Sequence, residues 1–145
     1  LRSLVGSEMC IRDSHTKWDF SKYVPQVIVF NMGTNDQSWT KKIPERVEQF
    51  GEKYYAFIKM LREHNPNAYI VCAYGVMDDP LAETEEAQIE RFKSELDDNI
   101  EFVRLPVQQE ADGIGADWHP SENTHTKMAI LLSEKINGIF EKMGM

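Results

Sequence analysis

Apolar residues along this 145-residue chain follow two alternating periods. Val27-Ile28-Val29-Phe30-Asn31-Met32 is a nearly continuous apolar run with one polar break, which predicts a strand over 27–32 covered on both faces. From 41 to 64 the spacing changes: Ile43, Val47, Phe50, Tyr54, Phe57 and Leu61 fall at steps of three and four and draw the single inner stripe of a long amphipathic helix. Asn65-Pro66-Asn67 ends it, because proline disfavours a helical conformation in the residue before it. A second buried strand is predicted over 68–74, closed by Gly75, and a second helix over 83–97 with Ile89, Phe92 and Leu96 inside. Its carboxylates are expected on the outside, with Thr84, Glu85 and Glu86 near the positive end of the helix dipole. A shorter strand over 101–107 and a glycine-containing loop over 112–116 lead to a terminal helix over 121–142. Ser121 fits its N-cap, and Met128, Leu132, Ile136, Ile139 and Phe140 lie on its inner face. Strands alternating with helices of this length imply a parallel sheet in an α/β sandwich, with right-handed crossovers laying the helices on its faces. Such sheets hold ligands at the carboxyl ends of their strands.

Two motifs fall at those ends. Gly33-Thr34-Asn35-Asp36 closes the first strand, and Asp117-Trp118-His119-Pro120-Ser121 precedes the terminal helix. An asparagine on a glycine turn can donate to a developing oxyanion, and a histidine held extended by a following proline can act as general base and acid. Together they supply two parts of an acyl-transfer site, with the nucleophile as the missing third. Ser21, Ser38, Ser94, Ser121 and Ser133 read as caps, turns or helix surface, and no Gly-x-Ser-x-Gly elbow is present. Each residue also has a plainer role open to it. Asn35 could satisfy turn backbone groups after Gly33, Asp36 could cap or brace the next segment, and Trp118 and Trp39 could be loop walls as readily as a stacking platform for sugar. Asp117 and the backbone carbonyl of Trp118 compete as the acceptor that orients His119.

Composition narrows the partners. The 16 Lys+Arg against 24 Asp+Glu give a formal net charge of -8, which argues against a nucleic-acid partner. No apolar run reaches the roughly 18–20 residues of an α-helical membrane span, so no membrane partner is expected. Cys10 and Cys72 form no disulfide framework and have no ligand-spaced companions; Cys72, inside an apolar run, reads as a small buried side chain. His64 and His125 lack partners at metal-ligand spacing, and neither a metal nor an organic cofactor is implied. Residues 1–14 have no clear period and read as foreign leader sequence, leaving 15–145 as the folded portion. Asp13-Ser14 there is a chance dipeptide with no strand leading into it.

The run VIVFNMGTND resembles the third sequence block of the SGNH hydrolases, or GDSL-type esterases, and DWHPS resembles their fifth. Gly-Ala-Asp-Trp-His-Pro-Ser, with Trp18-Asp19-Phe20-Ser21 ahead of the strand, is most similar to carbohydrate esterase family 2, which contains acetyl-xylan and related sugar deacetylases. The resemblance runs from Trp18 to the C-terminus. It implies a three-layer α/β/α sandwich of the flavodoxin-like SGNH fold, in which the first strand here is the third of five and the nucleophile-bearing strand lies outside the chain. It implies His119 as base then acid and Asn35 as the oxyanion donor that works beside glycine and serine amides; Gly33, Trp39 and Trp118, in or beside the two motifs, are the candidates for contact with substrate. Most SGNH enzymes carry the orienting aspartate three residues before the histidine, where this chain has Ala116; some family 2 members use a displaced acid or a carbonyl. The implied function is deacetylation of an acetylated oligo- or polysaccharide by the C-terminal part of a secreted serine esterase, inactive without its serine. A carbohydrate-binding protein of the same fold and a lipase- or lysophospholipase-type SGNH esterase are the alternatives, with a flavodoxin-like regulatory domain further behind.

Overall fold

The computed structural model describes residues 19–145, so the 1–14 leader, Cys10 and Trp18 lie outside the described residues. Three parallel strands, β1 (Val27–Asn31), β2 (Tyr69–Gly75) and β3 (Ile100–Leu105), pair in the order β1-β2-β3, with Val29 opposite Val71 and Ala73 opposite Val103. Between and after them run α1 (Asp36–Thr40), α2 (Pro44–His64), α3 (Ala82–Glu95) and α4 (Glu122–Lys142).

The period of two along β2 divides the core. Ile70, Cys72 and Tyr74 face α2 and α3, where Phe50, Tyr54, Ile58, Ile89 and Phe92 close over them. Val71 and Ala73 face the other way, toward Ile139, Leu132 and Met128 of α4. The result is the expected three-layer α/β/α arrangement. Burying both faces of β2 removes nearly all of its side-chain surface from water, at about 25 cal/mol per Å² of apolar area.

Several details depart from the pattern. β1 is not covered on both faces: it sits at the edge of the sheet and Val29 remains 41% exposed. The helix expected over 41–64 starts only at Pro44, where the missing N–H costs nothing, because Lys41 and Lys42 take positive φ (48° and 59°); the short α1 before them was not expected. α3 ends at Glu95, so Leu96, expected on the inner stripe, is 50% exposed. Most consequentially, Glu85 is not on the outside but fully buried.

Arg62 ties the bottom of the sheet together. Its guanidinium pairs with Asp97 (Nε to Oδ2 2.8 Å) and donates to the carbonyls of Ala68 (2.6 Å) and Asn99 (3.0 Å), joining α2, β2 and the turn before β3.

Candidate active site

The turn after β1 is built on Gly33, buried and at φ +106°, a conformation open to glycine and strained for other residues. Its carbonyl accepts from the Gln37 amide (3.0 Å), which starts α1. Asn35 occupies the N-cap position of α1, yet its side chain makes no capping hydrogen bond and is exposed. The plainer role of satisfying the turn is therefore not the one the amide plays. Asp36 is the first residue of α1 rather than its cap.

The histidine turn lies beyond β3, at the same rim. The Gln108 amide donates to the Val76 carbonyl just past β2 (2.6 Å), which holds the chain there after it leaves the sheet. Gln108 Nε2 then donates to the Trp118 carbonyl (2.7 Å). Within the turn, Gly115 N–H donates to the His119 carbonyl (2.8 Å), His119 N–H donates to the Ala116 carbonyl (3.0 Å), and Ile114 bridges Pro120. Asp117 and Trp118 both sit in the left-handed region (φ 51° and 63°), where each costs on the order of 1–3 kcal/mol outside glycine. This double reversal folds the segment back on itself. Ser121 then caps α4, accepting from the Thr124 amide (3.3 Å) while its hydroxyl donates to the Asp112 carbonyl (2.7 Å).

The reversal decides what orients the imidazole. His119 Nδ1 lies 3.0 Å from the Ala116 carbonyl. A carbonyl only accepts, so the contact places the proton on Nδ1 and leaves Nε2 with its lone pair. Neither sequence candidate fills this place: the Asp117 carboxylate is exposed and takes no part in the contact, and the Trp118 carbonyl is already engaged by Gln108. The physical reason is the left-handed pair 117–118, which turns both residues away and brings the carbonyl three residues before the histidine onto the ring.

The tryptophans are open to solvent, Trp39 at 47% and Trp118 at 66%. Arg46 stacks its guanidinium over the Trp39 ring, 5.7 Å from the centroid, and donates to the Trp39 carbonyl (2.8 Å). A cleft of 990 Å³ is lined by Gln37, Ser38, Lys41, Asp78, Thr84 and Gln88, and neither Asn35 nor His119 lines it. Among the described residues no cluster of three His, Cys, Asp or Glu side chains is placed to hold a metal, and no helix is long and apolar enough to cross a membrane.

A strand-end asparagine turn and a histidine turn oriented by the carbonyl three residues upstream invite comparison with known proteins. The chain is 37% identical over 131 residues to the cellulase/esterase CelE of Acetivibrio thermocellus, matching 85% of this chain and 15% of that protein. A solved family two carbohydrate esterase from Clostridium thermocellum in complex with cellohexaose superposes with a TM-score of 0.77 at 35% identity, over 90% of this chain and 40% of the other. An acetyl xylan esterase, Est2A, from the rumen bacterium Butyrivibrio proteoclasticus gives a TM-score of 0.77 at 25% identity, over 95% of this chain and 42% of the other. Over the part of their length that it spans, the chain resembles family 2 carbohydrate esterases in both sequence and fold. No family model matches it. The chain spans 15% of CelE and about two fifths of each solved esterase chain, so the family likeness concerns the strands and turns described above.

Sequence reasoning missed three residues around these turns. Gln108 carries no pattern of its own. The Ala116 carbonyl belongs to the backbone and leaves no trace in residue identity. Glu85 did leave one: it stands four residues before Ile89 and seven before Phe92, on the apolar stripe of α3.

Proposed function

We propose that this chain is the C-terminal part of a serine esterase that removes acetyl groups from carbohydrate, with the nucleophilic serine supplied by sequence outside it. His119 is the general base. Its Nε2 takes the serine proton as the hydroxyl oxygen attacks the acetyl carbonyl carbon, and the Asn35 amide donates to the oxygen that becomes negative. As the tetrahedral intermediate collapses, the imidazolium returns that proton to the departing sugar oxygen, leaving an acetyl-enzyme. A water deprotonated by His119 then releases acetate and restores the serine.

The observation that carries this reading is the His119 ring fixed through Nδ1 with Nε2 free, in a chain whose relatives are carbohydrate esterases. The neighbouring Ser121 does not compete as nucleophile, since its hydroxyl is committed to the Asp112 carbonyl. The test compares this polypeptide with the intact esterase on an aryl acetate and on acetylated xylan. The polypeptide alone is expected to be inactive. In the intact enzyme His119→Ala should lower kcat by about 10⁴ or more with KM little changed. Hydrolysis by the polypeptide that depends on one of its own serines, or a His119→Ala effect confined to KM, would refute the proposal.

A second reading is binding without turnover. The exposed Trp39 and Trp118 favour it, because aromatic faces suit the C–H surfaces of sugars. It predicts measurable calorimetric binding of a cello-oligosaccharide, lost on Trp118→Ala, in an intact protein that releases no acetate.

A further inference from the structure

Glu85 lies on the first turn of α3 and has no solvent exposure, and neither of its carboxyl oxygens reaches a hydrogen-bond partner with good geometry. Burying such a group without a partner costs on the order of 1–3 kcal/mol, and an apolar side chain of similar size would fill the space without that cost. What the carboxyl touches gives it a use. The space that a Cβ on Gly33 would occupy is taken by Glu85 Oε1, and Tyr74 Cε2 lies 2.8 Å from the same point. The turn that presents Asn35 therefore closes directly onto a carboxyl and a phenol ring, with no side chain between.

We propose that Glu85 is a positioning residue: its carboxyl forms the floor beneath Gly33 and fixes the direction in which the Gly33–Asn35 turn presents the Asn35 amide. The link runs through backbone. Gly33 bears on Glu85, its carbonyl holds the Gln37 amide, and the Asn35 carbonyl holds the Ser38 amide (3.2 Å), so α1 and its cap move with the floor. The groups facing the carboxyl are Tyr54 of α2, Cys72 and Tyr74 of β2, and Asp36 of α1. None of them is a cation. Burial pushes Glu85 up to about 8, opposed by the Tyr54 hydroxyl and reinforced by the Asp36 carboxylate, so the floor is a neutral acid at neutral pH. Glutamine copies that shape and charge; alanine does not.

The catalytic consequence rests on the oxyanion role proposed above for Asn35, and the test separates the two. Amide hydrogen exchange in this polypeptide reads the seating alone. Glu85→Ala should speed exchange of the Gln37 and Ser38 amides about tenfold or more while the β2 amides at Val71 and Cys72 stay unchanged, and Glu85→Gln should stay within about threefold of the parent throughout. If Glu85→Ala does not fold, Glu85→Asp, which withdraws the carboxyl from beneath Gly33, takes its place with the same expectation. Unchanged exchange at Gln37 and Ser38, or equal acceleration across β2, would overturn the inference.

In the intact esterase, Glu85→Ala should lower kcat about tenfold at constant KM and add nothing when combined with Asn35→Ala, with Glu85→Gln recovering most of the loss. Multiplying effects would overturn the link from Glu85 to Asn35. An Asn35→Ala variant with undiminished kcat would instead refute the oxyanion reading, while the exchange rates still decide the seating.

Discussion

Replacing Glu85 by glutamine should make the protein more stable as the pH rises, and the size of the gain follows from burial. The carboxyl is moved from an ordinary 4.5 to about 8 by its removal from water. Below about pH 4.5 it is neutral whether the chain is folded or unfolded, and the group exerts no pH-dependent effect. Between 4.5 and about 8 the unfolded chain releases the proton while the folded protein keeps it. Stability therefore falls with rising pH by about 1.4 kcal/mol for each pH unit, and levels off above 8. Across that interval of about 3.5 pH units the ceiling is about 5 kcal/mol, comparable to the whole stability of many domains at about 5–15 kcal/mol. Glutamine has no proton to lose and escapes the slope. Tyr54, Tyr74 and Cys72 are all shifted upward by burial and stay neutral over the same range, so they add no slope of their own. The assay is urea denaturation of parent and Glu85→Gln at pH 5, 6.5 and 8, read as the difference in unfolding free energy, so that surface carboxylates common to both cancel. The difference should grow in favour of the variant at each step. A flat difference, or a variant that loses ground at pH 8, would refute the argument that a neutral acid is buried there.

Three other substitutions probe the remaining geometry. Asp117→Asn should keep kcat of the intact esterase within about threefold, against the loss of about 10⁴ seen when a triad loses its orienting carboxylate; a severe loss in steady-state assays at neutral pH would restore Asp117 to that role. Gly115→Ala should lower kcat at least tenfold at similar KM, because the added Cβ would meet the His119 carbonyl at 2.9 Å and push the imidazole off its position; an unchanged kcat would show that the turn yields elsewhere. Arg62→Ala should cost about 3–5 kcal/mol of stability in denaturant titration by leaving the half-buried Asp97 without its counter-ion and the Ala68 carbonyl without this donor, and a loss below about 1 kcal/mol would mark the cluster as solvated.

The layer order was legible because each strand of this fold differs in period from the helix after it. β2 and α4 fall within a residue of their expected bounds. The short α1 and the start of α2 were harder to see, since two lysines in the left-handed region carry no turn signature, although Pro44 marked the true start of α2. Glu85 was misplaced for a physical reason: a carboxylate at a helix N-terminus is ordinarily a solvated partner of the dipole, and that expectation outweighed its position on the stripe with Ile89 and Phe92. Both motifs were found where parallel strands end, because glycine, asparagine, histidine and proline each constrain the backbone or carry chemistry by identity. The acceptor for His119 could not be found that way, since any residue at position 116 offers the same carbonyl.

That acceptor bears on how the site divides its work. A carboxylate behind a catalytic histidine fixes the tautomer and also stabilises the imidazolium; a neutral carbonyl does the first fully and the second weakly. In this chain the first task is built into the backbone: the Ala116 carbonyl receives both the His119 amide and its Nδ1, so ring and main chain are positioned by one atom. Holding it there requires two consecutive non-glycine residues at positive φ, a conformation of higher energy that Gln108, the Gly115 amide and the Ile114–Pro120 bridge together keep in place. A device of this kind tolerates changes of side chain at 116 and 117 and fails when the path of the main chain changes. On the proposed mechanism, the weaker stabilisation of the imidazolium shifts more of the transition-state burden to the oxyanion side, to the Asn35 amide on a turn seated against the buried Glu85. On the proposed reading, the Ala116 carbonyl orients the base and Glu85 seats the oxyanion donor, each acting through the chain rather than through a charged partner.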